Sequence, residues 1–229
     1  MPPDGHGEPA PSDEADTPDE PGAADGVEAA AEPEASDEPG TSPRPTGPRA
    51  ELLAAAIGYV AAHGFGQASL RQIAAGIGSS HRMLIYHFGS KQGLGSAIID
   101  AIQAAQLAAL RELLDTDDVT PADAAGRFWD LVTDNAMTFG PLFFELAANA
   151  MRGQGRRPMA VLAVHMWLEP LAELWRRGGV DPAEAPVLAR ISLAVANGLL
   201  LDALLTGDRE AARAGMEAFA AQFGNQLGR

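Results

Sequence analysis

Cysteine is absent from this chain of 229 residues, which excludes a disulfide framework, thiol catalysis and zinc bound by cysteines. The N-terminus is acidic and has no apolar core segment, so no secretory signal is expected. The most apolar run, 191–205, is interrupted by Asn197 and Asp202 and falls short of the about 20 residues that span a bilayer. We therefore expect a cytoplasmic protein that does not cross a membrane.

Positive charge is scarce and unevenly distributed. Residues 1–48 hold 13 acidic residues against one basic residue, a net charge of −12. Residues 49–95 hold four basic residues against one acidic residue, a net charge of +3, and residues 96–229 carry −6. Because binding to phosphates requires a basic surface, residues 49–95 are the segment that we expect to bind nucleic acid.

The first 48 residues carry eleven of the 17 prolines and no aromatic residue. Such a segment cannot bury enough apolar surface to offset its ordering entropy, so a disordered acidic tail is predicted over 1–48. A solubilising extension is the favoured interpretation, and competition of this polyanion with DNA is the alternative. Arg44 and Arg49 lie in a short basic patch that, as a flexible arm, could enter an A·T-rich minor groove.

Residues 49–95 show three helical patterns. The second helix begins at Ser69, where Gln72 three residues later completes a capping box, and Gly76 and Gly78 supply a sharp turn after it. Ser79 or Ser80 caps the third helix. The pattern is that of a helix-turn-helix domain.

Leu84 and Phe88 are the expected inward residues of the third helix. This leaves its first residues outside, where a recognition helix reaches base edges. These residues are Ser80, His81, Arg82 and Met83.

The remainder of the chain is helical in pattern, without strand-like alternation. A long helix follows Ser90 to near Asp115. Further helices are predicted at 121–138, 141–152, 158–178, 183–206 and 208–227. We predict an all-α fold with a helix-turn-helix domain over 49–95 and a helical domain over 96–229.

The segment SLRQIAAGIGSSHRMLIYHFGSKQGL, residues 69–94, resembles the DNA-binding domain of the TetR family of bacterial transcriptional regulators. The framework includes the Ser69 cap and the pattern His-Phe-x-Ser-Lys-x-x-Leu from His87 to Leu94. Residues 197–208 are similar to the penultimate helix of that family.

This resemblance implies a role for each exposed residue of the domain. Ser69, Tyr86, His87 and Lys91 would contact phosphates, which fixes the position of the protein without reading sequence. Arg82 would read a guanine, His81 and Met83 would assist, and Arg71 would touch the backbone. Ile85 stands where the family usually has a tyrosine that contacts a phosphate, so that contact is absent.

By the same resemblance, residues 96–229 form a ligand-binding and dimerisation domain. The helix over 183–206 is apolar nearly all round, so it requires cover on both sides. We predict a homodimer through the last two helices, although a buried monomer core would explain the same pattern. The residues concerned are Ile191, Leu193, Val195, Leu199, Leu200, Leu201, Leu204 and Leu205, with Ala212, Met216, Phe219, Phe223 and Leu227 of the last helix.

Aromatic residues on the middle helices favour a pocket for an apolar or amphipathic small molecule. Polar residues on the same helices would orient it, and His165 with Glu169 lacks a third metal ligand. No cofactor and no metal site are therefore expected. The predicted ligand residues are Trp129, Phe139, Phe143, Phe144, Asn149, His165, Trp167, Glu169 and Asn197.

These observations predict a homodimeric regulator, most simply a repressor released from a palindromic DNA operator by its ligand. An enzyme is not expected, since no nucleophile-base pair, phosphate loop or metal motif is found. The alternative is a helical interaction module that has lost DNA binding.

Overall fold

The structure, a computed structural model, describes residues 47–116, 118–153 and 157–224, with the side chains of 157–163 and 223–224 excepted. Eight helices and no strand are present in these residues, which confirms the all-α fold. They are α1 Pro48–His63, α2 Leu70–Gly76, α3 His81–Phe88, α4 Lys91–Leu114, α5 Pro121–Met151, α6 Arg157–Arg177, α7 Ala185–Thr206 and α8 Arg209–Gly224. Nearly all of the acidic tail, with Arg44, lies outside the described residues.

Local signals set the boundaries of the first four helices. Gly64 has a φ of 76°, a left-handed conformation that favours glycine, and α1 ends directly before it. The Ser69 Oγ accepts from the Gln72 N–H and the Gln72 side chain accepts from the Ser69 N–H, as the predicted capping box requires. Ser80 caps α3 and Ser90 caps α4, each by accepting an N–H three residues later.

One hydrophobic core joins the first three helices to α4 and α5. Ile73, Leu84, Leu94 and Ile98 are completely buried in it. Phe139 and Leu142 of α5 belong to the same core, so it continues across residue 95, where the domain division is predicted. Farther along, α4 packs through Leu107, Leu110 and Leu114 on Trp167 of α6. Helix α4 therefore runs from the helix-turn-helix to the middle of the helical body.

The predicted break between helices at residues 138–141 is wrong, because α5 is continuous from Pro121 to Met151. Pro141 donates no backbone hydrogen bond and normally interrupts a helix. Here its neighbours Phe139, Gly140 and Leu142 are buried, and Pro141 itself is exposed. A Cβ at Gly140 would lie 2.6 Å from Leu204 Cδ1. Tertiary packing on both sides of the proline holds the helix together.

Two helices, α4 and α7, are long and apolar enough to cross a membrane by length and composition alone. Helix α4 instead supplies much of the core, and α7 packs along α6 and α8. Length and composition are therefore weak evidence, and these two helices do not indicate a membrane protein.

The tight junction between α3 and α4 yields a test of this fold. The Gly93 N–H donates to Ser90 Oγ over 2.9 Å, and a Cβ at Gly93 would overlap the Phe88 carbonyl oxygen. We expect Gly93→Ala to lower the free energy of unfolding by about 1–3 kcal/mol, measured by urea denaturation at fixed protein concentration. Gly58→Ala is the control, because a Cβ there meets nothing within 4 Å and alanine favours helix. Equal stability of the two variants would contradict the packing described.

Candidate DNA-binding interface and ligand cavity

The outer face of helix α3 carries both polar and apolar side chains. Leu84 and Phe88 are buried beneath it and fix its rotation, as predicted. The predicted contact residues at its start and middle are all exposed, and Tyr86 is 79% exposed. The exposed set comprises Ser80, His81, Arg82, Met83, Ile85 and Tyr86.

The two serines predicted to contact DNA, Ser69 and Ser80, cap helices α2 and α3. The Oγ of Ser69 accepts from the Gln72 N–H at 3.2 Å, and that of Ser80 accepts from the Met83 N–H at 3.2 Å. Each exposed hydroxyl keeps its own proton, which can still be donated to a phosphate oxygen. Arg71 is exposed on α2, on the side away from the buried Ile73 and Ala74.

Lys91, the single lysine of the chain, has an internal role in addition to the predicted one. Its Nζ donates to the Gly66 carbonyl oxygen at 2.8 Å and lies 4.9 Å from the centre of the Phe65 ring. The ammonium thus ties the start of α4 to the loop between α1 and α2. An ammonium has three N–H donors, so two stay available for a phosphate.

His87 is less accessible than the predicted phosphate contact suggests. The residue is half-buried, and its Nε2 atom is buried with no hydrogen-bond partner among the described residues. Its ring meets that of Tyr86 edge-on, with 4.9 Å between centroids. In this geometry, a contact with DNA cannot use Nε2.

The flexible-arm interpretation is wrong for Arg49. This residue lies in the first turn of α1, and its guanidinium carbon is 5.2 Å from the centre of the Phe88 ring. Pro48 precedes it at a position where proline favours helix initiation, which the sequence interpretation overlooked. Arg44, the other arginine of that patch, lies outside the described residues.

A cavity of about 350 Å³ lies between helices α4 to α8. This volume is at the lower end of the range for small-molecule sites. All three tryptophans of the chain line it. Six predicted ligand residues are brought together in its walls: Trp129, Phe139, Phe143, Phe144, Trp167 and Asn197.

Three predicted ligand residues lie elsewhere. The Asn149 side chain accepts a hydrogen bond from Arg152 at 2.6 Å, and Glu169 accepts one from Arg176 at 2.9 Å. The bonds to Glu169 and Glu173 raise the pKa of Arg176. His165 is exposed on a neighbouring cleft. These polar residues occupy the outer surface of apolar helices, and no group of His, Asp or Glu that could hold a metal is found among the described residues.

The sequence analysis missed four polar residues in the cavity wall, which are Gln103 and Gln106 of α4, Asn135 of α5 and Ser192 of α7. Both glutamines are buried. A signal was present, because Ile99, Gln103, Gln106 and Leu110 follow the spacing of four and three residues that marks one helix face. Two glutamines on an otherwise apolar helix face indicate that polar side chains are buried at this place in the fold.

One face of the last helix packs inside the subunit. Ala212 is completely buried, and the half-buried Met216 and Phe219 line the cavity. For Ala212 the alternative of a core within one subunit holds, and the predicted interface role of Met216 and Phe219 stays a prediction. The Phe223 side chain and Leu227 lie outside the described residues.

The comparisons with known proteins agree with this arrangement. Residues 52–98 match the family model of bacterial regulatory proteins of the tetR family. Residues 52–98 are therefore a domain of the tetR family. The match spans most of α1, all of α2 and α3, and the start of α4, which confirms the resemblance inferred from residues 69–94. A search of curated proteins gives no match.

Solved structures extend the likeness from this TetR-family domain to the helical body. GusR of Salmonella enterica superposes with a TM-score of 0.62 at 24% identity, covering 82% of this chain and all of that one. A transcriptional regulator of Rhodococcus sp. gives 0.61 at 20%, with 75% and 93% covered. A TetR regulator of Legionella pneumophila gives 0.57 at 22%, with 76% and 97% covered. At these identities the likeness is one of fold alone.

The two roles of Lys91 can be separated by experiment. Replacing it with Met removes one positive charge, and we expect the slope of log binding constant against log salt concentration on duplex DNA to fall by about one. Fluorescence anisotropy across a salt series measures this. Lys91→Arg, which keeps the charge, is the control. If the melting temperature drops while the salt slope is unchanged, Lys91 only clamps the loop to α4.

Proposed function

We propose that this protein is a homodimeric repressor that a small molecule releases from a palindromic DNA operator. The observation that supports the proposal most directly is the exposed start of α3. There Ser80, His81, Arg82 and Met83 face outward from a rigid, capped helix in the segment of the chain with net positive charge. Side chains at the start of a recognition helix are the ones that reach base edges.

Arg82 is the proposed base-reading residue. Its guanidinium forms no salt bridge among the described residues, so its paired donors are available for a guanine. Ser69, Arg71, Tyr86 and Lys91 are the proposed phosphate contacts of the same domain. Ile85, 40% exposed on the same helix, offers an apolar surface where a hydroxyl donor would otherwise stand.

The role of Arg82 can be tested on operators selected from random duplexes. We expect Arg82→Ala to relax specificity at one base pair of each half-site and to cost about 1–3 kcal/mol in binding. Arg111→Ala is the control, since Arg111 is exposed in the last turn of α4, far along the chain from the interface. Unchanged specificity in the Arg82 variant would rule out base reading, and salt-insensitive retention on DNA would favour the interaction module.

The proposed dimer interface lies on α7. Its exposed residues recur at alternating spacings of four and three, which is the spacing of a coiled-coil seam. The stripe consists of Val187, Ile191, Ala194, Gly198, Leu201 and Leu205, and Leu205 is 77% exposed. An apolar stripe of this length on a monomer is a protein interaction surface, and regulators of this family usually bind DNA as dimers. A second copy of the chain is therefore the proposed occupant.

Charge placed in this stripe is expected to separate the subunits. Leu201→Glu would bury an unpaired carboxylate at the interface, so sedimentation velocity should show monomers at concentrations where the unmodified chain is dimeric. Met151→Glu is the matched control, because Met151 is 82% exposed but lies at the end of α5. A dimer that survives the Leu201 substitution would place the interface elsewhere.

Release by ligand follows from thermodynamic linkage. A ligand that binds the conformation unable to span two half-sites weakens operator binding, and the operator weakens ligand binding by the same factor. Helix α4 is the proposed coupling element. Its start is tied to the helix-turn-helix through Lys91, and its Gln103 and Gln106 line the cavity.

A further inference from the structure

The cavity between α4 and α8 is lined without a single charged side chain. Among the described residues, its wall contains no Asp, Glu, Lys, Arg or His. Aromatic rings dominate instead: Phe128, Trp129, Phe139, Phe143, Phe144, Trp167, Trp175 and Phe219. An ion placed among these rings loses its hydration and finds no opposite charge, which is more costly than one hydrogen bond can offset.

Four carboxamides interrupt this apolar wall. Gln103 and Gln106 are only 9% and 8% exposed, and Asn135 and Asn197 are half-buried. None of the four amide groups has a hydrogen-bond partner in the part of the chain that the structure describes. Each carboxamide offers one acceptor oxygen and two N–H donors. All four residues line the cavity, so their amide groups are available to polar atoms of a molecule that enters it.

The carboxamides stand on three walls. Gln103 and Gln106 are three residues apart on α4, so they share one face of that helix. Asn135 projects from α5 and Asn197 from α7. One polar group on a ligand cannot meet all three walls of a cavity of about 350 Å³. The complementary molecule therefore has more than one hydrogen-bonding group on an apolar skeleton.

We propose that the effector is an uncharged, largely aromatic or polycyclic molecule with at least two carbonyl, hydroxyl or amide groups. This inference rests on the proposed ligand-responsive function and specifies its ligand class. Gln103 and Gln106 bind its polar groups, so the ligand engages α4 directly. The aromatic rings of α5 to α8 enclose its skeleton.

The competing candidate is an anionic amphiphile. A cleft beside the cavity shares Gln103 and Asn197 with it and is lined by Arg190 and His165. An acidic head group could reach Arg190 from there. However, the charged residues Arg49, Asp100 and Arg190 line only the cleft, and none of them lines the cavity that holds the aromatic rings. The uncharged ligand is favoured, and the experiment includes the anion.

Two fluorescent probes that differ by one charge test the prediction. N-phenyl-1-naphthylamine is neutral, and 8-anilino-1-naphthalenesulfonate is the same skeleton with a sulfonate. Energy transfer from the three cavity tryptophans reports binding of each to the full-length protein. We expect the neutral probe to bind at least about tenfold more tightly. Equal or tighter binding of the sulfonate, weakened by Arg190→Ala, would overturn the proposal in favour of an anionic amphiphile.

A cation is tested with isosteres, because aromatic rings can also bind ammonium groups. We expect 2-tert-butylnaphthalene to displace the neutral probe at least about tenfold more effectively than trimethyl(2-naphthyl)ammonium. The reverse order would overturn the proposal.

The carboxamides are tested with Gln106→Leu, which lines the cavity but not the cleft. The variant should bind 2-acetylnaphthalene about 3- to 10-fold more weakly, the value of one hydrogen bond, and should bind 2-isopropenylnaphthalene no more weakly than the unmodified protein. Asn135→Leu serves as a second variant if the first does not fold. Equal losses for both compounds, or no loss for the acetyl compound, would contradict the assignment.

Measuring operator binding distinguishes the proposed ligand class from the proposed release of the operator by ligand. If the neutral probe fills the cavity and operator affinity does not change, the release mechanism fails while the ligand class stands. If only charged compounds bind and they release the operator, the ligand class fails while ligand release stands.

Discussion

The rest of the structure depends on the packing of α4 against its neighbours. Leu94 and Ile98 of this helix are completely buried in one core with Ile73 and Leu84 of the helix-turn-helix. The same core contains Phe139 and Leu142 of α5, so the DNA-binding helices are not an independent unit. Close-packed cores transmit small displacements, because their side chains have no room to absorb them. The orientation of α3 is therefore set by its packing on α2 and α4, and α4 also forms one wall of the cavity.

Gln103 and Gln106 place two polar groups of α4 in the cavity wall. An apolar pair at these positions would continue the face formed by Ile99 and Leu110 and would fill the space more favourably. The two amides line the cavity and have no hydrogen-bond partner among the described residues, so they are available to a ligand. A ligand that bonds to them adds its binding free energy at α4 itself. On the proposed function, this difference between empty and filled states biases the position of the recognition helices.

Much of the fold was predictable from local sequence signals, and less of the site was. Capping residues such as Ser69 and Ser90 and the left-handed Gly64 fixed the helix ends, because these signals act within a few residues. The fate of Pro141 was not predictable, since α5 persists through tertiary contacts made by Phe139 and Leu142. The positions of Glu169 and His165 were not predictable either, because helix periodicity shows only which residues share a face. It does not show that Glu169 forms an ion pair with Arg176 on the outer surface. The internal hydrogen bond of Lys91 was not predictable from local sequence, because its partner Gly66 lies 25 positions earlier in the chain.

Helix α7 links the cavity to the proposed subunit interface. Asn197 and Leu200 line the cavity, whereas Gly198 and Leu201, each the next residue, lie in the exposed stripe. An α-helix moves as a rigid body over such short distances, so a ligand that displaces Asn197 also displaces the stripe. A Cβ at Gly198 would meet nothing within 4 Å, which leaves room for a partner backbone to approach closely. In a symmetric dimer each change at this stripe occurs twice about one axis, and the spacing of two recognition helices depends on that axis. On the proposed function, the ligand thus has two routes to the DNA-binding face, through α4 within a subunit and through α7 between subunits.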